Sequence, residues 1–175
     1  MSAERIYLAG PDVFVPDAER VARLKRQLCA RYGFEGLVPV DSELRGAAEI
    51  FEGNRALMER AEIGVFNLSP FRGPSADAGT VFELGFLSAL GKRVYGYSNT
   101  RVLYAERVAD SYGPVRDERD RDGHVVESFG LADNLMIDMS LRRAGGSIVI
   151  VEEDALPALR AFEACLRALR LAADA

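Results

Sequence analysis

Histidine and cysteine are scarce in this sequence, which has one histidine and two cysteines among 175 residues. Protein zinc sites are built mainly from imidazole and thiolate ligands, so a single imidazole, at His124, predicts that there is no metal site. Cys29 and Cys165 each stand alone within a helical pattern. We therefore expect small buried residues rather than a disulfide.

Clustered positive charge and long apolar runs are also missing. The formal net charge is -5 and the pI is about 5.1, which argues against a protein that binds nucleic-acid polymers, because phosphate-backbone affinity depends on clustered Lys and Arg. No stretch approaches the roughly 18 apolar residues of a membrane span, and residues 1–5 lead into a strand-like segment without the long apolar region expected of a signal peptide. We expect a cytoplasmic protein, without membrane association, whose ligands are small molecules.

Short apolar runs alternate with amphipathic helical patterns along the whole chain. This alternation predicts an α/β fold, a doubly wound flavodoxin/Rossmann-like parallel sheet of five strands with helices on both faces, in a single domain over residues 1–175. The apolar runs are residues 6–10, 37–40, 63–66, 93–97 and 147–151. The helical segments are residues 17–32, 47–61, 78–91 and 154–172.

Several polar side chains lie in or just after the first two predicted strands. Tyr7 is in the first strand, Asp12 follows its end, and Glu43 follows the second strand. In a parallel sheet, ligands bind outside the carboxyl ends of the strands, so these groups are expected at the binding crevice. The glycine-rich loops of dinucleotide and P-loop sites are missing, which counts against phosphate binding and predicts no such cofactor.

One segment does not fit a packed element. Every residue of 116–122 is charged, with mixed signs. Such a segment predicts a solvated loop, with a lid that closes over substrate as the alternative.

Glu83 stands out within the third helical segment. Asp77 is placed to cap this helix, and a glycine at 91 is placed to end it. Helical spacing puts Glu83 on a mainly apolar face, without a Lys or Arg three or four residues away. Either its pKa is raised by burial or hydrogen bonds hold it, and both suit a catalytic carboxylate. The alternative is a Glu at the edge of the apolar stripe that reaches water.

Asn54 is a similar anomaly in the second helical segment. It occupies the apolar column that includes Leu57 and Met58. A buried amide needs hydrogen-bond partners, which either a ligand or a neighbouring loop backbone could supply.

These motifs together resemble the nucleoside 2'-deoxyribosyltransferase family over residues 5–152. The most specific part is the loop Ser69-Pro70-Phe71-Arg72-Gly73 followed by Asp77-x-Gly79-Thr80-x-x-Glu83-Leu84-Gly85. The other matching positions are Tyr7-Leu8-Ala9-Gly10-Pro11, Phe14, Pro39-Val40-Asp41, Asn54 and Asn134-Leu135-Met136.

The resemblance implies roles for individual residues. Glu83 would attack the anomeric carbon and form a covalent 2-deoxyribosyl enzyme, Asp77 would protonate the leaving base, and Tyr7 would hold and tune Glu83. The resemblance also implies that the active site is shared between subunits of a homodimer or larger homo-oligomer, and that no cofactor is needed. The implied substrate-binding residues are Gly10, Phe14, Glu43, Asn54, Asn134 and Met136, the last two lent by a neighbouring subunit. The substrates would be 2'-deoxynucleosides and free nucleobases.

Two other functions compete with this one. A 2'-deoxynucleoside 5'-monophosphate N-glycosidase would keep Asp77 and Glu83 and bind a phosphate, and we expect Asp12, in the first loop, to repel that phosphate. A non-catalytic nucleotide-sensing module could use the same fold, but it would gain nothing from a desolvated Glu83.

Overall fold

A computed structural model describes residues 3–39, 46–154 and 156–173 of the chain. Five parallel strands form one sheet in the order β2-β1-β3-β4-β5, which confirms the predicted parallel α/β architecture. The strands are β1 (Glu4–Ala9), β2 (Phe34–Leu37), β3 (Ile63–Asn67), β4 (Arg93–Ser98) and β5 (Ile148–Ile150). The helices are α1 (Ala18–Arg31), α2 (Ala47–Arg60), α3 (Ala78–Ala89), α4 (Tyr104–Tyr112), α5 (Leu135–Arg143) and α6 (Leu159–Ala173).

Each face of the sheet carries its own apolar core. Alternate residues of β1 point to opposite faces, so Ile6 and Leu8 join one cluster while Tyr7 and Ala9 join the other. The first cluster is completed by side chains of α1 and α6, and the second by side chains of α2, α3 and α5. Helices therefore cover both faces of the sheet, as a buried parallel sheet requires.

The end of α3 follows the glycine signal in the sequence. The helix stops at Ala89, and Gly91 adopts a left-handed conformation with φ of 69° while its N–H donates to the Ser88 carbonyl. Glycine takes this conformation at little cost, so the chain can turn directly into β4.

The second strand was predicted too late in the chain. The apolar run at 37–40 suggested a strand there, but the strand is Phe34–Leu37. Its apolar residues are at its two ends, where Phe34 packs into one core cluster and Leu37 into the other. Pro39 cannot donate a ladder hydrogen bond, which disfavours strand pairing at that point.

Three elements were not predicted: α4, α5 and a short 3-10 turn at Pro11–Phe14. The charged segment 116–122 forms turns that are mostly exposed, consistent with the expected solvated loop. Both cysteines are buried and free, as expected. Within the described residues, no helix has the length and apolar character needed to cross a membrane.

Candidate active site

Glu83 is held by hydrogen bonds from two other elements of the fold. The Tyr7 hydroxyl, reaching up from β1, donates to Glu83 Oε1 at 2.6 Å. Asn54 Nδ2, on α2, lies 3.5 Å from the same oxygen. Residues that are 76 and 29 positions away in sequence thus meet one carboxylate of α3. The second oxygen, Oε2, receives no hydrogen bond from the part of the chain that the structure describes.

The surroundings of Glu83 favour its neutral form. Burial is the largest influence, and together with the negative charge of Asp77 it raises the Glu83 pKa to about 7, against the hydrogen bonds from Tyr7 and Asn54, which lower it. Burial and the neighbouring carboxylate also raise the pKa of Tyr7, which keeps its hydroxyl a neutral donor. No Lys or Arg among the described residues forms an ion pair with Glu83.

Asp77 begins α3, as its position in the sequence predicted. Its Oδ2 accepts hydrogen bonds from the Thr80 backbone N–H at 2.9 Å and from the Thr80 hydroxyl at 3.1 Å. Both bonds use one oxygen, and Oδ1 accepts none from the described residues. The side chain is therefore both a helix cap and a half-buried carboxylate close enough to influence the pKa of Glu83.

Gly10 marks a close approach between the ends of β1 and β3. A Cβ at this position would lie 2.5 Å from Cβ of Asn67 and 2.6 Å from Oδ2 of Asp12. Its φ of 157° also disfavours other residues. No contact between Gly10 and Glu83 is seen, so its predicted substrate role stays a prediction.

Asp12 does not lie where the sequence analysis expected it. Its side chain is 8% exposed and turns into the core, where it forms an ion pair with the Lys25 side chain, which is 3% exposed. Asn67 also donates to it, at 3.1 Å. The charge of Asp12 is thus neutralised inside the protein, and the expectation that it faces the crevice and repels a phosphate was wrong.

Phe14 is 54% exposed. It belongs to an aromatic stack formed by the loops that follow the carboxyl ends of β1 and β3. Its ring is parallel to that of Phe71, with centroids 5.5 Å apart and planes at 9°. The Arg72 guanidinium lies 5.2 Å from the Phe14 ring centroid and 4.7 Å from that of Phe71. Arg72 forms no ion pair or hydrogen bond with the described residues. The sequence contained one signal for this stack, since the loop of Phe71 and Arg72 follows the carboxyl end of a strand.

Asn134 and Met136 lie on a different side of α3 from Glu83. Asn134 caps α5, accepting from the Met136 N–H at 3.0 Å, and its Nδ2 donates to Glu127 at 3.0 Å. Its polarity within an apolar run therefore has a local explanation. Both residues line a groove between α3 and α5 that does not include Glu83, and Met136 is 68% exposed. Glu43 lies outside the described residues.

The strand order is that of flavodoxin-like α/β proteins. Glu83 is largely desolvated and has no cation partner among the described residues, an arrangement that costs free energy. Carboxylates in such surroundings cluster at catalytic sites, which points to an enzyme built on this fold. A sequence model described as nucleoside 2-deoxyribosyltransferase matches residues 6–136. The chain belongs to this family, whose members act on the N-glycosidic bonds of nucleosides.

The chain is also similar to individual proteins. A solved 2-desoxiribosyltransferase from Leishmania mexicana is 36% identical, with a TM-score of 0.65 over 77% of this chain and 85% of that one. An uncharacterized protein from Schizosaccharomyces pombe is 32% identical over 83% of this chain and 80% of its own. A CMP N-glycosidase from Clostridium botulinum shares the fold, with a TM-score of 0.54 over 97% and 99% of the two chains at 14% identity.

Proposed function

We propose that this protein transfers 2-deoxyribose between nucleobases through a covalent intermediate on Glu83. The observation that carries the proposal is the 2.6 Å hydrogen bond from the Tyr7 hydroxyl to a Glu83 carboxylate without a cation partner among the described residues. Such a carboxylate is oriented by neutral donors and poorly solvated, so it is a better nucleophile than one held by a salt bridge.

The reaction proceeds in two displacements at C1' of the sugar. In the reactive form of this carboxyl pair, Glu83 is ionised and the proton lies on Asp77. Glu83 Oε2 attacks C1' as the C1'–N bond breaks, and Asp77 delivers that proton to the departing base. An incoming base then attacks C1' from the opposite side, the ester bond to Glu83 breaks, and Asp77 recovers a proton from the new base. Two inversions give net retention, and water in place of the second base gives slow hydrolysis.

The covalent step is tested by trapping. Incubation with a slow 2'-fluoro-arabinosyl nucleoside is expected to add one sugar to the intact protein, on the peptide that contains Glu83. The matched control is Glu83→Gln, which keeps size and hydrogen-bonding capacity but lacks the nucleophile. If the sugar is found on another peptide, or if Glu83→Gln is labelled equally, the mechanism is wrong.

Transfer is separated from hydrolysis by supplying an acceptor. Deoxyinosine is incubated with and without free adenine or cytosine, and the products are followed by chromatography. A transferase forms the new deoxynucleoside when a base is present and releases little free sugar. A hydrolase releases free 2-deoxyribose at the same rate in either case. Absence of any turnover would support the nucleotide-sensing alternative.

The role of Asp77 as acid is tested with two leaving groups. Asp77→Asn is expected to lower turnover of deoxynucleosides by about 100-fold or more, because a nucleobase is a poor leaving group without a proton. An activated nitrophenyl 2-deoxyriboside needs little protonation and is expected to be affected far less. Equal losses on both substrates would make Asp77 a helix cap without a proton-transfer role.

The proposal includes an active site shared between subunits, with Glu83 from one chain and Asn134 from its neighbour. The exposure of Met136 and the separation of its groove from Glu83 within one chain support this arrangement. Inactive Glu83→Ala and Asn134→Ala chains, dissociated and mixed, are then expected to recover activity in about a quarter of the sites of a dimer. A monomer by light scattering, or mixing without recovery after verified exchange, contradicts the shared site.

A specific observation favours a second candidate, a 2'-deoxynucleoside 5'-monophosphate N-glycosidase. The Arg72 guanidinium is exposed beside Phe14 without a described ionic partner, and Asp12 is neutralised by Lys25. A phosphate could therefore be met by a cation rather than repelled. This candidate predicts a higher kcat/KM for the 5'-monophosphate than for the nucleoside, lost in Arg72→Gln but kept in Arg23→Gln, an exposed control. A preference for the free nucleoside rules it out.

A further inference from the structure

The loop that leads into Asp77 is anchored by a buried ion pair that the sequence analysis did not identify. Asp133 is 2% exposed and Arg107 is 9% exposed, and Arg107 Nη2 lies 3.3 Å from Asp133 Oδ2. The two residues come from α4 and from the segment just before α5. Neither contacts Glu83, so the pair lies outside the site described above.

Asp133 fixes the two residues that precede Asp77. Its Oδ1 accepts from the Ser75 hydroxyl at 2.5 Å, and its Oδ2 accepts from the Ala76 backbone N–H at 3.0 Å. Oδ1 also accepts from the Asn134 N–H at 2.7 Å. One carboxylate thus joins the loop before α3 to the start of α5.

Arg107 holds the same loop from a second direction. Its Nε donates to the Pro74 carbonyl at 2.6 Å and its Nη2 to the Ala132 carbonyl at 2.8 Å. The loop is therefore held at three consecutive residues, through the backbone of Pro74 and Ala76 and the hydroxyl of Ser75. A buried ion pair costs desolvation energy and adds little net stability, so a network of this kind is better explained by the geometry that it fixes.

Asp77 is the next residue along the chain. Its carboxylate accepts two hydrogen bonds from Thr80, which follows it in the sequence. Because Asp77 lies between two anchors, a shift of the 74–76 backbone changes where its carboxylate sits relative to Glu83. Proton transfer to a leaving group tolerates little displacement.

We propose that Asp133, held by Arg107, is a positioning residue that sets the place of the Asp77 carboxylate for proton transfer to the leaving base. The inference rests on the proposed function, since it takes Asp77 as the acid. A purely structural role would affect all substrates alike. A positioning role affects substrates according to how much they need the proton.

The test compares Asp133→Asn with Asp138→Asn on two substrates. Asp138 is a matched control, since it is 4% exposed, accepts from a backbone N–H at Ala132 and from Arg142, and has no contact with the 74–77 loop. Asp133→Asn is expected to lower kcat on a deoxynucleoside by about 100-fold with little change in KM, the loss that a misplacement of about 1 Å can cause. On the nitrophenyl 2-deoxyriboside the loss is expected to be severalfold at most. Asp138→Asn is expected to leave the ratio of the two rates unchanged.

Ser75→Ala serves where Asp133→Asn does not fold, because it removes one hydrogen bond and leaves the ion pair intact. It is expected to show the same selectivity at smaller size, about 10-fold on the deoxynucleoside. In an Asp77→Asn background, neither variant is expected to lower the rate further, since the acid is already absent.

The outcomes separate the inference from the proposed function. If Asp77→Asn itself fails to discriminate between the two substrates, the acid assignment falls. A second case is that Asp77→Asn lowers the two rates to different extents, so that the acid assignment stands. The positioning role is then overturned if Ser75→Ala and Asp133→Asn lower both rates equally, or if their losses add fully to the loss caused by Asp77→Asn.

Discussion

Two carboxylates near the first strand, Asp12 and Glu83, have different kinds of partners in the fold. Asp12 is buried against Lys25, Asn67 and the Tyr97 hydroxyl, on the face covered by α1 and α6. Glu83, on the opposite face, is met by a hydroxyl and an amide and has no described cation partner.

The difference separates a structural carboxylate from a chemically useful one. A buried charge with a cation partner is neutralised and fixed, so it supports packing and cannot easily accept a new bond. The desolvated Glu83 is held by neutral donors and has a raised pKa, and its Oε2 accepts no hydrogen bond from the described residues. The second arrangement costs stability, and that cost is understandable where the carboxylate has to react.

The largest expected effect is on activity at Glu83. Glu83→Ala is expected to lower kcat/KM by about 10^4-fold or more while the protein stays folded, because the covalent route needs the carboxylate. Steady-state rates and a circular dichroism melting curve measure both properties. Near-normal turnover would show that Glu83 is not the nucleophile.

At Lys25 the expected effect is on stability. Lys25→Met leaves the Asp12 charge buried without its cation and is expected to lower the free energy of unfolding by about 3 to 5 kcal/mol. Urea titration measures the loss. The control is Lys25→Met with Asp12→Asn, which removes the unpaired charge and should recover most of the stability. A loss below about 1 kcal/mol in the single variant would mean that the pair is not structurally important.

The sequence predicted the local features of the site better than the long-range ones. The cap at Asp77 and the glycine stop after α3 depend on neighbours within a few residues, and both are as expected. The five-strand parallel sheet also follows from local periodicity.

Contacts between buried residues that are far apart in the sequence were not predicted. Nothing in the spacing indicates that Lys25 reaches Asp12, because the contact depends on how α1 packs against the sheet. For the same reason the Arg107–Asp133 pair was not foreseen, since Arg107 lies on α4, a helix that was not predicted, and Asp133 lies in the segment before α5. Asn134 was ambiguous in another way, because an asparagine in an apolar run fits either a ligand contact or the helix cap that it forms.

A smaller effect is expected on the pH dependence of stability. The folded-state pKa of Glu83 is raised to about 7 from an ordinary value of 4.5, so the folded protein holds this proton more tightly than the unfolded chain does. Stability contributed by the protonated form is therefore lost as pH rises from 4.5 to 7.

Glu83→Gln has no such titration. At pH 8 it is expected to be more stable than the wild type by about 2 kcal/mol, allowing for partial solvent screening, and the gain should vanish near pH 4. Urea titrations at both pH values measure this. A gain that is the same at both would indicate a packing effect and not a desolvated charge.

The smallest expected effect concerns the hydroxyl that holds Glu83. The Tyr7 hydrogen bond lowers the Glu83 pKa against burial, so Tyr7→Phe is expected to raise that pKa further. Because the nucleophile must be ionised, the acidic limb of the kcat/KM profile moves to higher pH. The variant should lose about fivefold at pH 7 and little above pH 9. The matched control is Tyr97→Phe, which removes a buried hydroxyl beside Asp12 on the other face of the sheet and should leave the profile in place. A profile that moves in Tyr97→Phe as it does in Tyr7→Phe, or that moves to lower pH in Tyr7→Phe, would show that the two carboxylates are not held in the different ways described.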